Sequence, residues 1–405
     1  MTSINTGNTR GTGNAGGIGS TSGTGNTGGT GSAGDIGGTG GTGNVDSTGG
    51  IGNVGDIGGV GDTSSTDSAG NTPKLRWGVL GCGVIANEMA QALKLQGRII
   101  DAVANRTFEK AVSYAQEHGI PKVYRTAEEL FADPEVDAVY ITTPHNTHIF
   151  YLRLALAAGK HVVCEKAITL NSDELDEARA LASANGVVLM DACTVLHMPL
   201  YKRLTQRMRA GEFGRVNLVQ ENFGSFKDYD ERNRFFNPDL AGGAMLDIGV
   251  YSLTLMRLFM ESAPNERLSL MNPAPTGVDM TSGLLLRNEQ GQMGVISLSL
   301  RSKQPKRAVI SCEKAYIEVI EYPRADSATI VWTETGEVET VIVGERDKAL
   351  CYVIDDLEAA VARAAEGVGG DQLAREFTQM GITSDVMRMM TDFRRDWGFF
   401  YPEEL

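Results

Sequence analysis

The sequence has no long apolar run, and its cysteines are few and unpaired. No uninterrupted apolar stretch approaches the ~18–20 residues of a membrane-spanning helix, so we expect no membrane segment. The five cysteines are odd in number and lack the paired spacing of a disulfide framework or a metal site. They are Cys82, Cys164, Cys193, Cys312 and Cys351. We therefore expect reduced, buried thiols, a cytoplasmic location and no bound metal.

Positive charge is also scarce. The chain has 37 Lys and Arg against 51 Asp and Glu, which gives a net charge of −14. An acidic protein lacks the basic surface that binds phosphate backbones or anionic lipid. This balance excludes nucleic acid and membrane surfaces as expected partners and leaves a small molecule.

Residues 1–72 contain no aromatic residue, and their apolar residues are isolated. Of the 49 glycines in the chain, 25 lie in residues 1–70, within loose repeats of Gly, Thr, Asn and Ser. Such a segment cannot bury enough apolar surface to offset the entropy lost on ordering, and it does not resemble a signal peptide. We predict a disordered tail over 1–72.

From Leu75 onward, short apolar runs alternate with helix-like segments. Asn171, followed three residues later by Glu174, is typical of a helix N-terminus. This alternation predicts an α/β domain over 73–193 with a doubly wound, parallel Rossmann sheet. The predicted strands lie around 75–81, 98–104, 123, 136–144, 161–164 and 187–192, and the predicted helices around 84–95, 107–118, 127–133, 147–158 and 171–186.

After Gly211 the pattern changes to a series of strand-like runs. In "VISLSL", Ile296, Leu298 and Leu300 alternate with Ser297 and Ser299, which is typical of a sheet covered on one face only. We predict a substrate-binding and dimerisation domain over 194–405, of α+β class, with an open, mostly antiparallel sheet. The run 372–397 is predicted to be helical. An open apolar face needs a partner, so we expect a homodimer or a higher homo-oligomer.

The turn after the first strand has the spacing Gly81-x-Gly83-x-x-Ala86. In a dinucleotide-binding turn, the first glycine permits the tight bend, the second admits the pyrophosphate, and the small third residue lets helix and strand pack closely. The phosphates would face the helix start at Val84 and Ile85. A glycine-rich turn of another α/β fold, such as a methyltransferase, remains the alternative.

The residues after the second strand bear on the choice of cofactor. A site for NAD usually has an Asp or Glu there, which binds the ribose 2′-hydroxyl. This chain instead has Asn105, Arg106 and Thr107. Because a guanidinium pairs well with a phosphate, these residues favour NADP, with NAD as the alternative.

Two further strands end in polar residues. Thr143, Pro144 and His145 follow one strand, and Glu165 and Lys166 follow the next. Ligands bind outside the carboxyl ends of parallel strands, so both groups should reach the edge where the glycine turn lies. There we expect the pKa of the partly buried Lys166 to be lowered, which would let the amine take part in proton transfer.

Four motifs in order carry a resemblance to a known family. They are "GVLGCGVIA", "ITTPHNTH", "GKHVVCEKAITLN" and "AGGAMLDIGVYSL". Together they resemble the glucose–fructose oxidoreductase and inositol dehydrogenase (Gfo/Idh/MocA) family, and especially its members similar to dimeric dihydrodiol dehydrogenase. The likeness extends over residues 75–405 and implies hydride transfer between a nicotinamide and a carbinol or carbonyl carbon of a sugar, polyol or dihydrodiol-like substrate.

The resemblance also implies roles for individual residues. Lys166 and Tyr251 would form the catalytic acid/base pair, and Asp247 would orient the substrate. Asp247 and Tyr251 are four positions apart, so on a regular helix both would project from the same side. Pro144, His145 and His148 would line the nicotinamide, although the family more usually has Asn at the position of His145.

One departure concerns the residue after the catalytic lysine, which is Ala167 where the family has proline. Without the proline ring the backbone at Lys166 is less restricted. Two other functions therefore stay open: a non-catalytic NAD(P)-binding sensor of the same fold, and a glycoside hydrolase that uses the nicotinamide transiently.

Overall fold

The computed structural model describes residues 74–366 and 379–405. The predicted tail 1–72 and the part 372–378 of the predicted last helix lie outside these residues. Within the described ranges, no helix combines the length and the apolarity needed to cross a membrane.

The first sheet has six parallel strands in the order β3-β2-β1-β4-β5-β6. They are β1 (Trp77–Leu80), β2 (Ile100–Ala104), β3 (Lys122–Tyr124), β4 (Ala138–Ile141), β5 (His161–Cys164) and β6 (Leu189–Asp191). Five helices connect them: α1 (Val84–Leu95), α2 (Phe108–His118), α3 (Ala127–Ala132), α4 (His148–Ala157) and α5 (Ser172–Ala184). The strands are almost wholly apolar because helices cover both faces of the sheet. The predicted Rossmann sheet is confirmed.

The start of α5 follows the predicted capping pattern with one difference. The Asn171 side chain accepts a hydrogen bond from the Glu174 N–H at 2.9 Å, as expected of an N-cap. The Glu174 carboxylate, however, accepts from the Leu170 N–H rather than from that of Asn171. Side-chain hydrogen bonds therefore hold the backbone both before and after the start of α5, a few residues beyond Lys166.

The second sheet has eight strands in the order β14-β13-β12-β11-β7-β10-β9-β8. They are β7 (Val216–Gly224), β8 (Glu266–Pro273), β9 (Asp279–Arg287), β10 (Met293–Ser299), β11 (Gln304–Cys312), β12 (Ala315–Ile320), β13 (Ser327–Trp332) and β14 (Val338–Ile342). All neighbours are antiparallel except β7 and β10, which run parallel. The predicted open, mostly antiparallel sheet is thus confirmed.

Four more helices complete the described part: α6 (Pro199–Arg209), α7 (Val250–Phe259), α8 (Ala349–Ala365) and α9 (Gln379–Asp396). A π-helical turn, Met245–Gly249, leads directly into α7. Helix α7 lies against the covered face of the second sheet, next to β7 and α9. On β10, Ile296, Leu298 and Leu300 are buried as predicted, but so is Ser299, which bonds to the Thr281 hydroxyl.

Helix α8 packs against the first sheet although it follows the second in the chain. Its apolar residues Val353, Ile354 and Leu357 share a buried cluster with Trp77 and Val79 of β1. Residues 349–365 therefore complete the cover of the dinucleotide-binding sheet. The predicted domain boundary between residues 193 and 194 stays a prediction.

All five cysteines are free, but two of them are not fully buried. Cys164, Cys193 and Cys351 lie in the interior, whereas Cys82 and Cys312 are partly accessible. The expectation of uniformly buried thiols is wrong for Cys82, which lies in the glycine turn, and for Cys312, which lies at the end of β11.

We predict that the contact of α8 with the first sheet depends on the buried pair of Arg98 and Glu358, in which Arg98 Nε lies 2.7 Å from the carboxylate. Glu358→Ala should lower the free energy of unfolding by about 3 kcal/mol, because it leaves a desolvated guanidinium unpaired. Glu177→Ala is the control, since it removes the partner of exposed Arg153 and should cost less than about 1 kcal/mol. Equal losses in urea denaturation would contradict the prediction.

Candidate active site

The glycine turn has the geometry of a phosphate-binding loop. Gly81 has φ +103°, and a Cβ there would lie 2.9 Å from the Thr142 carbonyl oxygen, so only glycine fits. Beside Gly83, by contrast, a Cβ would meet no protein atom within 4 Å. Helix α1 starts here with no side-chain cap and no acidic residue in its first turn, and Val84 is exposed. These residues fit a bound pyrophosphate, because the first N–H groups of α1 have no side-chain cap and the space beside Gly83 is open.

The remaining residues of the turn and the end of β2 occupy the places that the sequence predicts. Ala86 is fully buried against the sheet, and Ile85 is half-buried. Asn105 donates a hydrogen bond to the Thr107 carbonyl at 2.9 Å, which closes the turn after β2. Arg106 is exposed on that turn. Its guanidinium is free to approach a ligand on the edge of the sheet.

The neighbouring strands β4 and β5 bring their polar ends together. His145 Nε2 lies 2.9 Å from the Lys166 carbonyl oxygen. Because a carbonyl only accepts, Nε2 of His145 carries the proton in this contact. Burial, together with the nearby His148 and Lys166, lowers the pKa of His145 to about 3, so the ring is neutral.

His148 is fully buried, and each of its ring nitrogens lies within hydrogen-bond distance of a backbone carbonyl; the neutral ring can donate to one of the two at a time. Its Nε2 lies 2.8 Å from the Thr143 carbonyl, and its Nδ1 lies 3.0 Å from the Ala167 carbonyl. Burial lowers its pKa despite these acceptors. His148 thus joins the ends of β4 and β5 from inside the protein. Its expected place along the nicotinamide stays a prediction.

The backbone that follows the lysine is held by these two histidines. The Lys166–Ala167 peptide bond is cis, and Ala167 is buried. His145 and His148 contact the carbonyls on either side of that bond. His145, in the turn before α4, and His148, at the start of α4, therefore hold the backbone at Lys166 and Ala167, where the sequence lacks the proline that would restrict it.

Glu165, at the end of β5, is bonded to the neighbouring strand. The hydroxyl of buried Tyr140 donates a hydrogen bond to its carboxylate. Burial raises the pKa of Glu165. Its carboxylate is thus engaged with β4, and its contact with the cofactor stays a prediction.

Lys166 reaches across to the second domain. Its Nζ lies 2.8 Å from the backbone carbonyl oxygen of Asp247 and 3.4 Å from the Asp247 carboxylate. Both side chains are largely buried. Burial alone would raise the pKa of Asp247, but the charges of Lys166 and Arg234 hold it below its usual value. The carboxylate is therefore ionised and paired with two cations.

Tyr251 completes the cluster. The Lys166 Nζ lies 4.9 Å from the centre of the Tyr251 ring. Within the described ranges, the Tyr251 hydroxyl has no hydrogen-bond partner, so it can bond to a substrate. Burial raises the pKa of Tyr251 to about 12, although Lys166 opposes the rise, and the phenol keeps its proton at neutral pH.

Two expectations about this cluster are wrong. The pKa of Lys166 is raised rather than lowered: burial would lower it, but Tyr251, Asp247 and Glu165 outweigh that effect. The amine is therefore a permanent cation at neutral pH. In addition, Asp247 lies in a π-helical turn and not in a regular helix with Tyr251. Such turns are frequent at functional sites, and here both residues still contact Lys166.

Two arginines lie near the cluster, and no sequence motif assigns a role to either of them. Both terminal nitrogens of Arg234 lie 3.4 Å from the Asp247 carboxylate, and its side chain is 56% exposed. Arg324 pairs with Glu88 of α1 at 2.8 Å. Burial would lower the pKa of Arg324, but Glu88, with nearby Tyr251 and Glu165, raises it. No spacing in the sequence signals either contact, since each joins residues from separate elements.

His197 is fully buried. Its Nδ1 lies 2.8 Å from the Asp356 carboxylate, and its Nε2 lies 2.8 Å from the Asp191 carbonyl oxygen. These contacts agree with a packing role. Among the described residues, no group of three or more His, Cys, Asp or Glu is arranged to hold a metal ion.

A parallel sheet with a phosphate-binding turn, joined at its edge to a lysine, an aspartate and a tyrosine, defines an NAD(P)-dependent oxidoreductase. Two family models match the chain: "Oxidoreductase family, NAD-binding Rossmann fold" over residues 75–192 and "GFO/IDH/MocA C-terminal domain" over 201–318. The chain belongs to the Gfo/Idh/MocA family, which confirms the resemblance seen in the sequence, the oxidoreductase class and the use of NAD(P).

Among its relatives is trans-1,2-dihydrobenzene-1,2-diol dehydrogenase of Mus musculus, 33% identical over 276 residues, covering 67% of this chain and 79% of the relative. A solved structure with the same fold is a 3-ketoreductase from Actinomadura kijaniata in complex with NADP and TDP-benzene. It has a TM-score of 0.67, 21% identity, and coverage of 78% and 96% of the two chains. A levoglucosan dehydrogenase in complex with NADH and levoglucosan has a TM-score of 0.68, 17% identity, and coverage of 79% and 97%.

We predict that Gly83→Ala folds normally but binds nucleotide at least about 10-fold more weakly. The backbone at Gly83 (φ −84°) suits alanine, and its Cβ would meet no protein atom, so any loss arises from the space meant for the pyrophosphate. Thermal denaturation and fluorescence titration with NADPH would measure the two effects. Gly81→Ala is the comparison, and it should lower stability as well. Unchanged affinity in Gly83→Ala would remove this turn from the cofactor site.

Proposed function

We propose that the protein is an NADP-preferring dehydrogenase or reductase that acts on a CH–OH or C=O carbon of a small polyol, sugar or dihydrodiol-like substrate. Lys166, Tyr251 and Asp247 are its catalytic residues. The observation that carries this proposal is that the Lys166 ammonium meets both Asp247 and the Tyr251 ring at the carboxyl edge of the dinucleotide-binding sheet.

When bound, the nicotinamide supplies the hydride or accepts it. The residues of this chain handle the proton and the oxygen. Tyr251, protonated at neutral pH, donates its proton to a carbonyl oxygen during reduction and becomes a phenolate; in the reverse direction, it is the phenolate that receives the proton of the substrate hydroxyl. The Lys166 cation stabilises negative charge on that oxygen and on the phenolate. Asp247 holds the lysine in place, and its carboxylate is available to accept a hydrogen bond from a second substrate hydroxyl.

The substrate class follows from the polar character of this cleft and from the relatives. Dihydrobenzenediol carries two neighbouring hydroxyls, and the named acceptors Asp247 and Tyr251 suit a vicinal diol. Exposed Arg234 beside Asp247 adds donors for a further oxygen. The dihydrodiol dehydrogenases, at 33% identity in the Mus musculus relative, support the diol end of this range.

The preference for NADP rests on the turn after β2. Arg106 is exposed there, and the turn Asn105–Thr107 has no carboxylate to bind a ribose 2′-hydroxyl or repel a 2′-phosphate. The roles of Thr143, Pro144, His145 and Glu165 beside the nicotinamide belong to the same proposal.

A homodimer through the second sheet also belongs to it. One face of that sheet is open and carries exposed apolar side chains, including Leu268 (71%) and Leu270 (84%). Leu268 lies opposite Leu285, so the apolar residues form a continuous patch across β8 and β9. A patch of this kind needs a partner surface, and a second copy offers the same one. Free thiols and the acidic charge fit a cytoplasmic protein.

Lys166→Met should lower kcat by about 10³-fold, because it removes the cation beside Tyr251 while keeping the length of the side chain. Affinity for NADPH should change less than about 3-fold. Steady-state kinetics with a vicinal diol and nucleotide titration would measure both. Lys202→Met, which removes a surface lysine paired with Asp356, is the control and should keep full activity. Undiminished turnover would take Lys166 out of the mechanism.

Arg106→Ala should raise the KM for NADP about 10-fold or more, since it removes the cation proposed to bind the 2′-phosphate. The KM for NAD should stay within about 2-fold, and kcat should be unaffected. An equal loss for both nucleotides would refute the assignment of Arg106.

Leu268→Lys should shift the protein towards the monomer in light scattering after gel filtration, because it places a charge in the apolar patch. Leu95→Lys changes an equally exposed leucine (71%) on α1 and should not. A wild-type protein that is already monomeric would rule out the dimer.

A further inference from the structure

Residues 394–404, which comprise the last turn of α9 and the residues after it, contact three separate segments of the proposed active site. The first is the backbone after the catalytic lysine. Buried Arg394 donates a hydrogen bond to the Leu170 carbonyl at 2.6 Å and another to Glu404 at 2.6 Å. The same Glu404 carboxylate accepts from the Asn171 amide at 3.0 Å. An ion pair with only 1% and 8% of its side chains exposed thus holds residues four and five positions beyond Lys166.

The second segment leads into the turn that carries Asp247. The Tyr401 hydroxyl donates a hydrogen bond to the Gly242 carbonyl at 2.7 Å. The Tyr401 ring lies under the Arg394 guanidinium at 4.6 Å, so the phenol and the ion pair form one unit. Gly242 has no room for a side chain, since a Cβ would lie 2.8 Å from the Arg234 carbonyl oxygen. The backbone at Gly242 is therefore confined by neighbouring backbone atoms.

The third segment is the turn beside the predicted nicotinamide site. The Asn146 amide donates to the Glu403 carboxylate at 2.6 Å and to the Asp239 carbonyl at 3.0 Å. Asn146 follows His145 directly, and Asp239 belongs to the segment before Gly242. One side chain therefore links the first and second domains to the 394–404 segment at the same point.

We infer that the 394–404 segment is a positioning element, which holds the Lys166 backbone, the Asp247 turn and the nicotinamide turn at the separation that catalysis requires. The Lys166–Asp247 contact joins two domains, and each of its sides is bonded to the same short piece of chain through Arg394, Tyr401 and Glu403. Small misplacements of reacting groups lower rates steeply, whereas nucleotide binding at the glycine turn lies elsewhere. This inference rests on the proposed function.

The test uses the full chain carrying Tyr401→Phe together with Glu403→Ala, which removes one hydroxyl and one exposed carboxylate without unpairing buried Arg394. The expected result is a kcat lower by about 10- to 100-fold with NADPH affinity within about 2-fold. The matched control is Tyr352→Phe with Glu345→Ala, since the Tyr352 hydroxyl accepts from the Glu345 N–H and neither residue contacts the three segments. The control should keep wild-type kcat.

Hydrogen exchange by mass spectrometry provides a readout that needs no activity. In the Tyr401→Phe/Glu403→Ala protein, amides in residues 165–171 and 239–247 should exchange faster than in wild type, and those of α1 should not. Unchanged exchange there, unchanged kcat, or an equal fall in kcat and nucleotide affinity would overturn the inference. A wild type without any hydride transfer would instead defeat the proposed function, and the exchange data would still decide the role of the segment.

Discussion

The contact between Lys166 and Asp247 is the constraint on which the active site depends. A lysine at the end of β5 donates to a backbone carbonyl in the second domain and pairs with the carboxylate of the same residue. Because both side chains are largely removed from water, neither charge is tolerable without the other. The contact fixes Tyr251 beside the ammonium, and it keeps the lysine charged and the aspartate ionised. The chemistry of the cleft follows from this one pairing.

Most of the fold could be predicted because its elements carry local signals. Helix α1 begins and ends where the pattern after Gly83 indicates, and the first sheet follows from alternating strands and helices. The sequence pattern does not predict strand β8, because its leucines, Leu268 and Leu270, face outwards at the edge of the sheet and the segment has no buried face to detect. Ser299, in contrast, is a polar residue that is buried, because its hydroxyl is hydrogen-bonded to the Thr281 hydroxyl.

The residues of the site could be named from motifs, but their electrostatics could not. Burial of Lys166 suggests a lowered pKa, and only the assembled structure brings Asp247, Glu165 and Tyr251 close enough to reverse that effect. The π-helical turn at Asp247 likewise has no sequence signature. Contacts such as Asn146 with Glu403 join residues more than 250 positions apart, and no local pattern records them. Pairings across domains are decided by tertiary packing alone.

The position of β7 at the centre of the second sheet has a consequence for the order of assembly. Its two neighbours, β10 and β11, leave the ribosome about 70 to 80 residues after it, and the intervening chain contains the Asp247 turn and α7. Tyr251 therefore lies inside a loop that closes only when β10 inserts in parallel beside β7. A nascent chain can complete the six strands of the first sheet early, whereas the cleft around Asp247 and Tyr251 also requires β10, α8 and α9, which are synthesised later. The cleft is thus assembled from strands and helices that are synthesised after the first sheet is complete.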